Sequence, residues 1–229
     1  MKTALITGAS KGIGRAMALK LATECSGFAL CARRTAPLLR LKTELEVLNP
    51  NVRVYTSETD CSRPEELRTF IENVDRIFPA VDYLVNNLGI YTPADIFSDT
   101  DDVLKTQMDN NLYPAYALCR HYGAKMRLQR SGLIINLGST ASFDPVTEAA
   151  AYSVTKFAVR GLTDVLRQSL QGSGVQVIGV YPGSTRTASW ENEAVPADLK
   201  LLEPDEVADA VWQAIQKGEK EVHIKPVSP

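Results

Sequence analysis

Short β-branched runs alternate with longer amphipathic segments along almost the whole chain, and this alternation most narrows what the sequence can fold into. The runs are TALIT (3–7), FALCAR (28–33), VRVYTS (52–57), YLVNN (83–87), LIINLG (133–138), VQVIGVY (175–181) and EVHIK (221–225). Between them, helical periodicity occupies about 12–24, 35–48, 63–77, 100–129, 150–171 and 204–217. Pro64 with Glu65 and Glu66, and Pro204 with Asp205 and Glu206, read as helix starts. Proline needs no N–H in a first turn, and carboxylates favour the positive end of a helix. Strands separated by helices imply right-handed crossovers into a parallel sheet covered on both faces.

The first of these units carries TGASKGIG, with Gly8, Gly12 and Gly14 directly after a strand. A helix opening there presents unpaired N–H groups and a partial positive charge, and glycine lets an anion approach the backbone without meeting a Cβ. The spacing is GxxxGxG rather than GxGxxG, in the strand–turn–helix context of a dinucleotide site. The fold expected is therefore α/β: one Rossmann-type domain over residues 1–229, a doubly wound parallel sheet of about seven strands flanked by helices. After the second strand comes CARR, with Arg33 and Arg34 and no acid. An acid there would take the ribose hydroxyls of NAD, whereas arginine accommodates the extra phosphate of NADP. Arg33, with Lys11 in the glycine turn, makes NADP(H) the preferred cofactor and NAD(H) the alternative.

Composition removes several other classes. The formal net charge of −2 gives no electrostatic case for nucleic acid or an acidic membrane surface. No apolar run approaches the ~20 residues a transmembrane helix needs, and the N-terminal apolar stretch runs straight into glycines, unlike a signal peptide. Cys25, Cys31, Cys61 and Cys119 form no CxxC pair, and His121 and His223 are far apart, which argues against a metal site and a disulfide framework. A reduced, cytoplasmic setting is expected.

The chemical constellation lies in INLGSTASFDPVTEAAAYSVTKFAVRG. Tyr152 and Lys156 are four apart on an expected helix and so share a face. A neighbouring ammonium favours the phenolate, which would lower the Tyr152 pKa and make it a usable acid or base. Ser139, just past the fifth strand, is placed to hydrogen-bond a carbonyl oxygen.

Taken together these segments resemble the short-chain dehydrogenase/reductase family over nearly the whole chain. The run holding Gly8, Ser10, Lys11, Gly12, Ile13 and Gly14 looks like the family's cofactor loop. NNLG (86–89) is similar to its NNAG segment, YSVTK (152–156) to its catalytic motif, and YPGSTRT (181–187) to its PG-x-x-x-T stretch. The resemblance implies that Ser139 orients the carbonyl, Tyr152 donates the proton, and Lys156 binds the nicotinamide ribose while tuning Tyr152. It also implies that Asn111 holds a proton-relay water. Asp60 and Cys61 would line the adenine, Asn87 and Gly89 the adenosine ribose, and Pro182, Gly183, Thr185 and Thr187 the nicotinamide end. Tyr91, Phe143 and Trp190 fall where family pockets are lined. The implied activity is NADP-preferring carbonyl reductase or alcohol dehydrogenase chemistry on a small molecule. A homodimer or homotetramer would form through the helices at about 100–129 and 150–171.

Within the family the chain resembles 3-oxoacyl-carrier-protein reductases in the GS before the catalytic region. It resembles sepiapterin reductases in its lid stretch and tail-free ending, but has Lys225 where those use a carboxylate. Leu88 stands in place of the usual alanine, and the substrate lid, about 184–203, is short. The alternative reading is a cofactor-binding regulator or structural protein that retains the fold. The joint presence of Asn111, Ser139, Tyr152 and Lys156 argues against it.

Overall fold

The computed structural model describes residues 2–187 and 199–226. Its strands are β1 (Lys2–Thr7), β2 (Cys25–Ala32), β3 (Arg53–Glu58), β4 (Tyr83–Asn86), β5 (Gly132–Leu137), β6 (Val175–Pro182) and β7 (Glu221–Ile224). They form one sheet in the order β3-β2-β1-β4-β5-β6-β7, with every pairing parallel. The helices are α1 (Gly12–Leu21), α2 (Thr35–Leu48), α3 (Pro64–Ile77), α4 (Asp101–Asn111), α5 (Tyr113–Gln129), α6 (Ala150–Ser169) and α7 (Pro204–Lys217). A single 3-10 turn, Thr140–Ser142, follows β5. This is the Rossmann-type architecture expected from the alternation of elements.

Burial on both faces explains why the strands read as nearly continuous apolar runs. Ala4 and Ile6 of β1 belong to one cluster with Phe28, Leu30, Leu38, Leu41 and Val207. Leu5, between them, points the other way and packs with Phe70, Val74, Leu118 and Tyr122. Alternate side chains of one strand thus feed two helix layers, as the period of two in a strand requires. Burying each Leu or Phe contributes about 1.5–3 kcal/mol relative to leaving it exposed.

Two details depart from the sequence reading. β2 begins at Cys25, although Ser26 and Gly27 look like turn residues, because β1 pairs Lys2 with Cys25 and Thr3 with Gly27. The helix expected over 100–129 is two helices that meet at Leu112. Pro114 supplies the reason: it has no N–H to continue the ladder, and its ring collides with the carbonyl four residues back. The break makes Asn111 the last residue of α4 and sets its side chain against the loop after β4.

Between β1 and β4 the strand order changes direction. Crossovers leave this point toward opposite sides of the sheet, so the carboxyl ends of β1 and β4 border a crevice. The turn after β4 is laced to the glycine turn. The Thr7 hydroxyl accepts from the N–H groups of Asn87 and Leu88, both at 3.1 Å. The Asn87 amide donates to the carbonyls of Thr7 at 3.0 Å and Gly8 at 3.1 Å.

Candidate active site

An open cleft of about 870 Å³ lies along the carboxyl ends of the strands. The glycine turn and Arg33–Arg34 border it on one side, and the residues after β4, β5 and β6 complete it. Of the residues anticipated from sequence, Gly8, Ser10, Lys11, Gly12, Ile13, Arg33, Asn87, Gly89, Ser139, Tyr152, Lys156, Pro182, Gly183, Thr185 and Thr187 line this cleft. Elements far apart in the chain are thereby brought to one wall.

At the cationic end, Gly8 and Gly12 have φ of +63° and +57°, a region that disfavours side chains. A Cβ on Gly8 would fall 2.9 Å from Asn87 Nδ2, and one on Gly12 would fall 3.1 Å from Thr187 Cγ2. Lys11 precedes α1 in extended conformation and supplies no side-chain cap to it. The first-turn N–H groups of α1 therefore adjoin the cleft that Gly12 and Ile13 line, and this cradle fits a phosphate. Arg33 and Arg34 add cationic charge beside it.

Gly14 serves packing instead. It does not line the cleft, and a Cβ there would fall 2.5 Å from both Gly8 O and Asn87 Nδ2. Gly14→Ala is expected to destabilise the fold by about 1–3 kcal/mol through overpacking. Gly161, inside α6, has no neighbour within 4 Å of its Cβ position, so Gly161→Ala should instead gain roughly 1 kcal/mol of helix propensity. Parallel thermal melts of the two variants check this opposition of sign.

The chemical end is assembled around α6. Lys156 is buried, and its ammonium donates to the Leu137 carbonyl at 3.0 Å. Burial lowers its pKa from 10.5 to about 8. Its Nζ lies 5.5 Å from the centroid of the Tyr152 ring. The Tyr152 phenol is held above its ordinary value because burial disfavours the phenolate. A hydrogen bond with Ser139 pulls the other way, and the nearby Tyr91 adds to the rise. The expectation that Lys156 lowers the Tyr152 pKa is thus corrected: in this state desolvation dominates, and Ser139 is the group that opposes it.

Ser139 is fixed by its own turn. Its hydroxyl accepts from the Ala141 N–H at 3.2 Å. Its N–H donates to Ser142 Oγ at 3.2 Å, and Ser142 Oγ donates to the Lys156 carbonyl at 2.9 Å. Ser142 therefore ties the serine turn to the helix that carries Tyr152 and Lys156.

Asn111 lies behind this wall. Its Oδ1 accepts from the Ile90 N–H at 2.7 Å, and its Nδ2 donates to the Ile90 carbonyl and to Thr155 Oγ1, both at 3.0 Å. A Cβ on Gly89 would stand 3.5 Å from Asn111 Oδ1 and equally far from Lys156 Nζ. Asp60 and Cys61 do not line the cleft. Asp60 accepts from the N–H and hydroxyl of Ser62, at 3.0 and 2.6 Å, while Cys61 is buried against Cys31.

Tyr91, one of the anticipated pocket aromatics, meets the Tyr152 ring edge-on at 5.1 Å and lines the cleft. Phe143 does not. It packs on Tyr181 and His223, with the Arg160 guanidinium 4.0 Å from its ring centroid. Trp190 and the middle of the lid, 188–198, lie outside the described residues. The lid's two ends are stapled together by Arg186 N–H to Leu202 O at 2.8 Å and Leu202 N–H to Ser184 O at 2.9 Å. Sequence reasoning missed Gln107, fully buried one turn before Asn111 and packed against its amide. Its spacing of four from Asn111 was the available signal.

The sheet order, the glycine cradle at its switch point and the serine–tyrosine–lysine wall define a dinucleotide-dependent class of enzyme. The family model described as short chain dehydrogenase matches residues 2–197, and the chain belongs to that family of oxidoreductases. It is 33% identical over 205 residues to the oxidoreductase YvaG of Bacillus subtilis, covering 90% of this chain and 74% of that protein. An alcohol dehydrogenase from Thermococcus sibiricus, solved with 5-hydroxy-NADP, superposes with a TM-score of 0.87 at 26% identity, covering 100% of this chain and 99% of the other. A short-chain dehydrogenase from Sphingobium yanoikuyae, solved with NADPH, gives 0.89 at 28% identity, covering 97% and 87%.

Proposed function

We propose that the chain is an NADP(H)-dependent oxidoreductase that interconverts a carbonyl and an alcohol, with Tyr152 as the proton donor and acceptor. The observation that carries this reading is the convergence of Ser139, Tyr152 and Lys156 on one wall of the cleft. The cradle of Gly8, Gly12 and the α1 N-terminus borders the same cleft and fits the pyrophosphate. Arg33, assisted by Lys11, fits the additional phosphate of NADP. Two solved relatives bound to NADP-type cofactors support the same choice.

When bound, the nicotinamide supplies or accepts the hydride. In the reductive direction Ser139 holds the carbonyl oxygen within hydrogen-bond reach of the Tyr152 phenol, since proton transfer needs a short, aligned path. Tyr152, kept protonated by burial, gives its proton to that oxygen as negative charge develops on it. Lys156 places an ammonium beside the phenolate left behind and holds the nicotinamide ribose. Asn111 Oδ1, with a lone pair left after accepting from Ile90, holds the water that returns the proton. Pro182, Gly183, Thr185 and Thr187 border the nicotinamide. Ile90, Tyr91 and Val146 give the substrate end an apolar wall, suited to a small uncharged carbonyl compound.

Charge-assisted contacts are worth roughly 1.5–3 kcal/mol, so Arg33→Asp should weaken NADPH binding more than tenfold and leave NADH nearly unchanged. Fluorescence titration of both cofactors reads this. Equal affinity of the unmodified protein for NADH and NADPH would overturn the assignment.

The assembly proposed is a homodimer or homotetramer through α4–α5 and α6. Tyr113, Tyr116, Val154, Phe157 and Val165 of these helices are exposed, whereas Ala115 and Leu118 are buried in the fold. Light scattering tests it, and a strict monomer at high concentration would contradict it.

A further inference from the structure

Two thiols lie side by side at the edge of the cleft and take no part in the chemistry above. Cys31 is the penultimate residue of β2, and Cys61 lies in the turn after β3. Their sulfurs are 3.6 Å apart. Cys31 is also hooked to the glycine turn, since the Gly8 N–H is directed at its sulfur and the Ala9 N–H donates to its carbonyl at 3.2 Å. Immediately beyond Cys31, Ala32 and Arg33 line the cleft. Cys61 directly follows Asp60, whose carboxylate feels the Arg33 charge. The pair therefore connects both strands that shape the cationic end of the cleft.

We propose that Cys31 and Cys61 are a modification site: a hydroperoxide closes them into a disulfide, and closure weakens dinucleotide binding. The affinity half rests on the cofactor reading given above. Cys31 is fully buried, whereas Cys61 keeps 5% exposure, so Cys61 meets the oxidant. Its thiolate attacks one peroxide oxygen and the O–O bond breaks. Cys61 becomes a sulfenic acid, and the departing oxygen takes up the proton released from the thiol. The Cys31 sulfur then attacks the sulfenic sulfur, and its proton leaves with the hydroxyl as water. Two electrons from the thiols have reduced one hydroperoxide. With hydrogen peroxide the products are the disulfide and two waters.

A disulfide bond is about 2.05 Å long, so the sulfurs must close by roughly 1.5 Å. That movement draws the Cys31 sulfur off the Gly8 N–H and pulls the Asp60–Cys61 turn toward β2. Gly8 cannot follow freely, because its Cβ position is already 2.9 Å from Asn87 Nδ2 and its φ is +63°. The glycine turn loses an acceptor where it must hold a phosphate. One buried N–H without its acceptor corresponds to a loss on the order of tenfold in affinity.

The test treats the full chain with hydrogen peroxide and follows intact mass, thiol-specific peptide mapping, and NADPH titration before oxidation, after it, and after dithiothreitol. The expected result is loss of two hydrogens, a Cys31–Cys61 linked peptide, a roughly tenfold or larger rise in the NADPH dissociation constant, and recovery on reduction. Cys31→Ala should keep its own NADPH affinity through the same treatment. Absence of the linked peptide overturns the proposal, and so does a linked protein that binds NADPH as tightly as the reduced one. Failure of the reduced protein to bind NADPH overturns the cofactor reading and the gating with it. Failure of the crosslink alone leaves the cofactor reading standing.

Discussion

Tyr152→Phe is expected to lower turnover by about 10²–10⁴-fold, the usual contribution of general acid–base catalysis, while NADPH affinity and melting temperature stay near those of the unmodified chain. The substitution removes one hydroxyl from a ring that remains packed edge-on against Tyr91, 5.1 Å away. Ser139 loses a hydrogen-bond partner but remains anchored through Ala141 and Ser142. The loss should therefore fall on kcat, not on folding or cofactor affinity. Steady-state rates, cofactor titration and thermal melts, run on one preparation, separate the three quantities. Undiminished turnover would refute the tyrosine mechanism.

Lys156→Met is expected to abolish most turnover and yet stabilise the cofactor-free protein at pH 7. The native pKa of about 8 against an ordinary 10.5 means that burial disfavours the ammonium. At 1.36 kcal/mol per pKa unit, holding it charged costs about 3 kcal/mol. Since the folded pKa is the lower one, the penalty is fully present below pH 8. Between pH 8 and 10.5 the unfolded chain holds a proton the native state has released, so stability rises with pH. Methionine fills much of the same volume without charge, at the loss of the hydrogen bond to Leu137. A net gain of about 1–3 kcal/mol should remain at pH 7 and shrink as pH climbs through that window. Urea unfolding of both proteins at pH 7, 8.5 and 10 reads the difference, in which other titrating groups largely cancel. A constant difference across that range would contradict the buried-ammonium account.

Much of this was legible because two kinds of residue carry strong local rules. The β-branched runs alternate with amphipathic segments over the whole chain, and that fixes a parallel sheet before any contact is known. Glycines directly after the first strand mark where a ligand or another backbone comes close, although sequence alone does not say which. Gly12 and Gly8 line the cleft, while Gly14 answers to the packing of α1 on the glycine turn. The break at Leu112 was written in Pro114 but overridden by the helical periodicity on either side.

What sequence could not supply depends on which groups meet in space. The spacing of Tyr152 and Lys156 predicts a shared face, but not that burial would outweigh the charge and raise the phenol's pKa. Phe143 sits four residues past Ser139, yet its ring turns to the Tyr181–His223 side, where Arg160 covers it. Cys61 follows Asp60 at a position matched by resemblance to the adenine. Its sulfur instead faces Cys31, thirty residues away in sequence and on the neighbouring strand.

The central claim, carbonyl–alcohol interconversion with NADPH, is tested most directly by following NADPH absorbance against a panel of diketones, quinones, acetoacetyl thioesters and sepiapterin, with the alcohol product quantified. The account predicts that at least one carbonyl is consumed with one alcohol formed per NADPH oxidised, and that Ser139→Ala suppresses the rate. A protein that binds NADPH tightly but turns over no member of the panel, nor any corresponding alcohol with NADP, would contradict it.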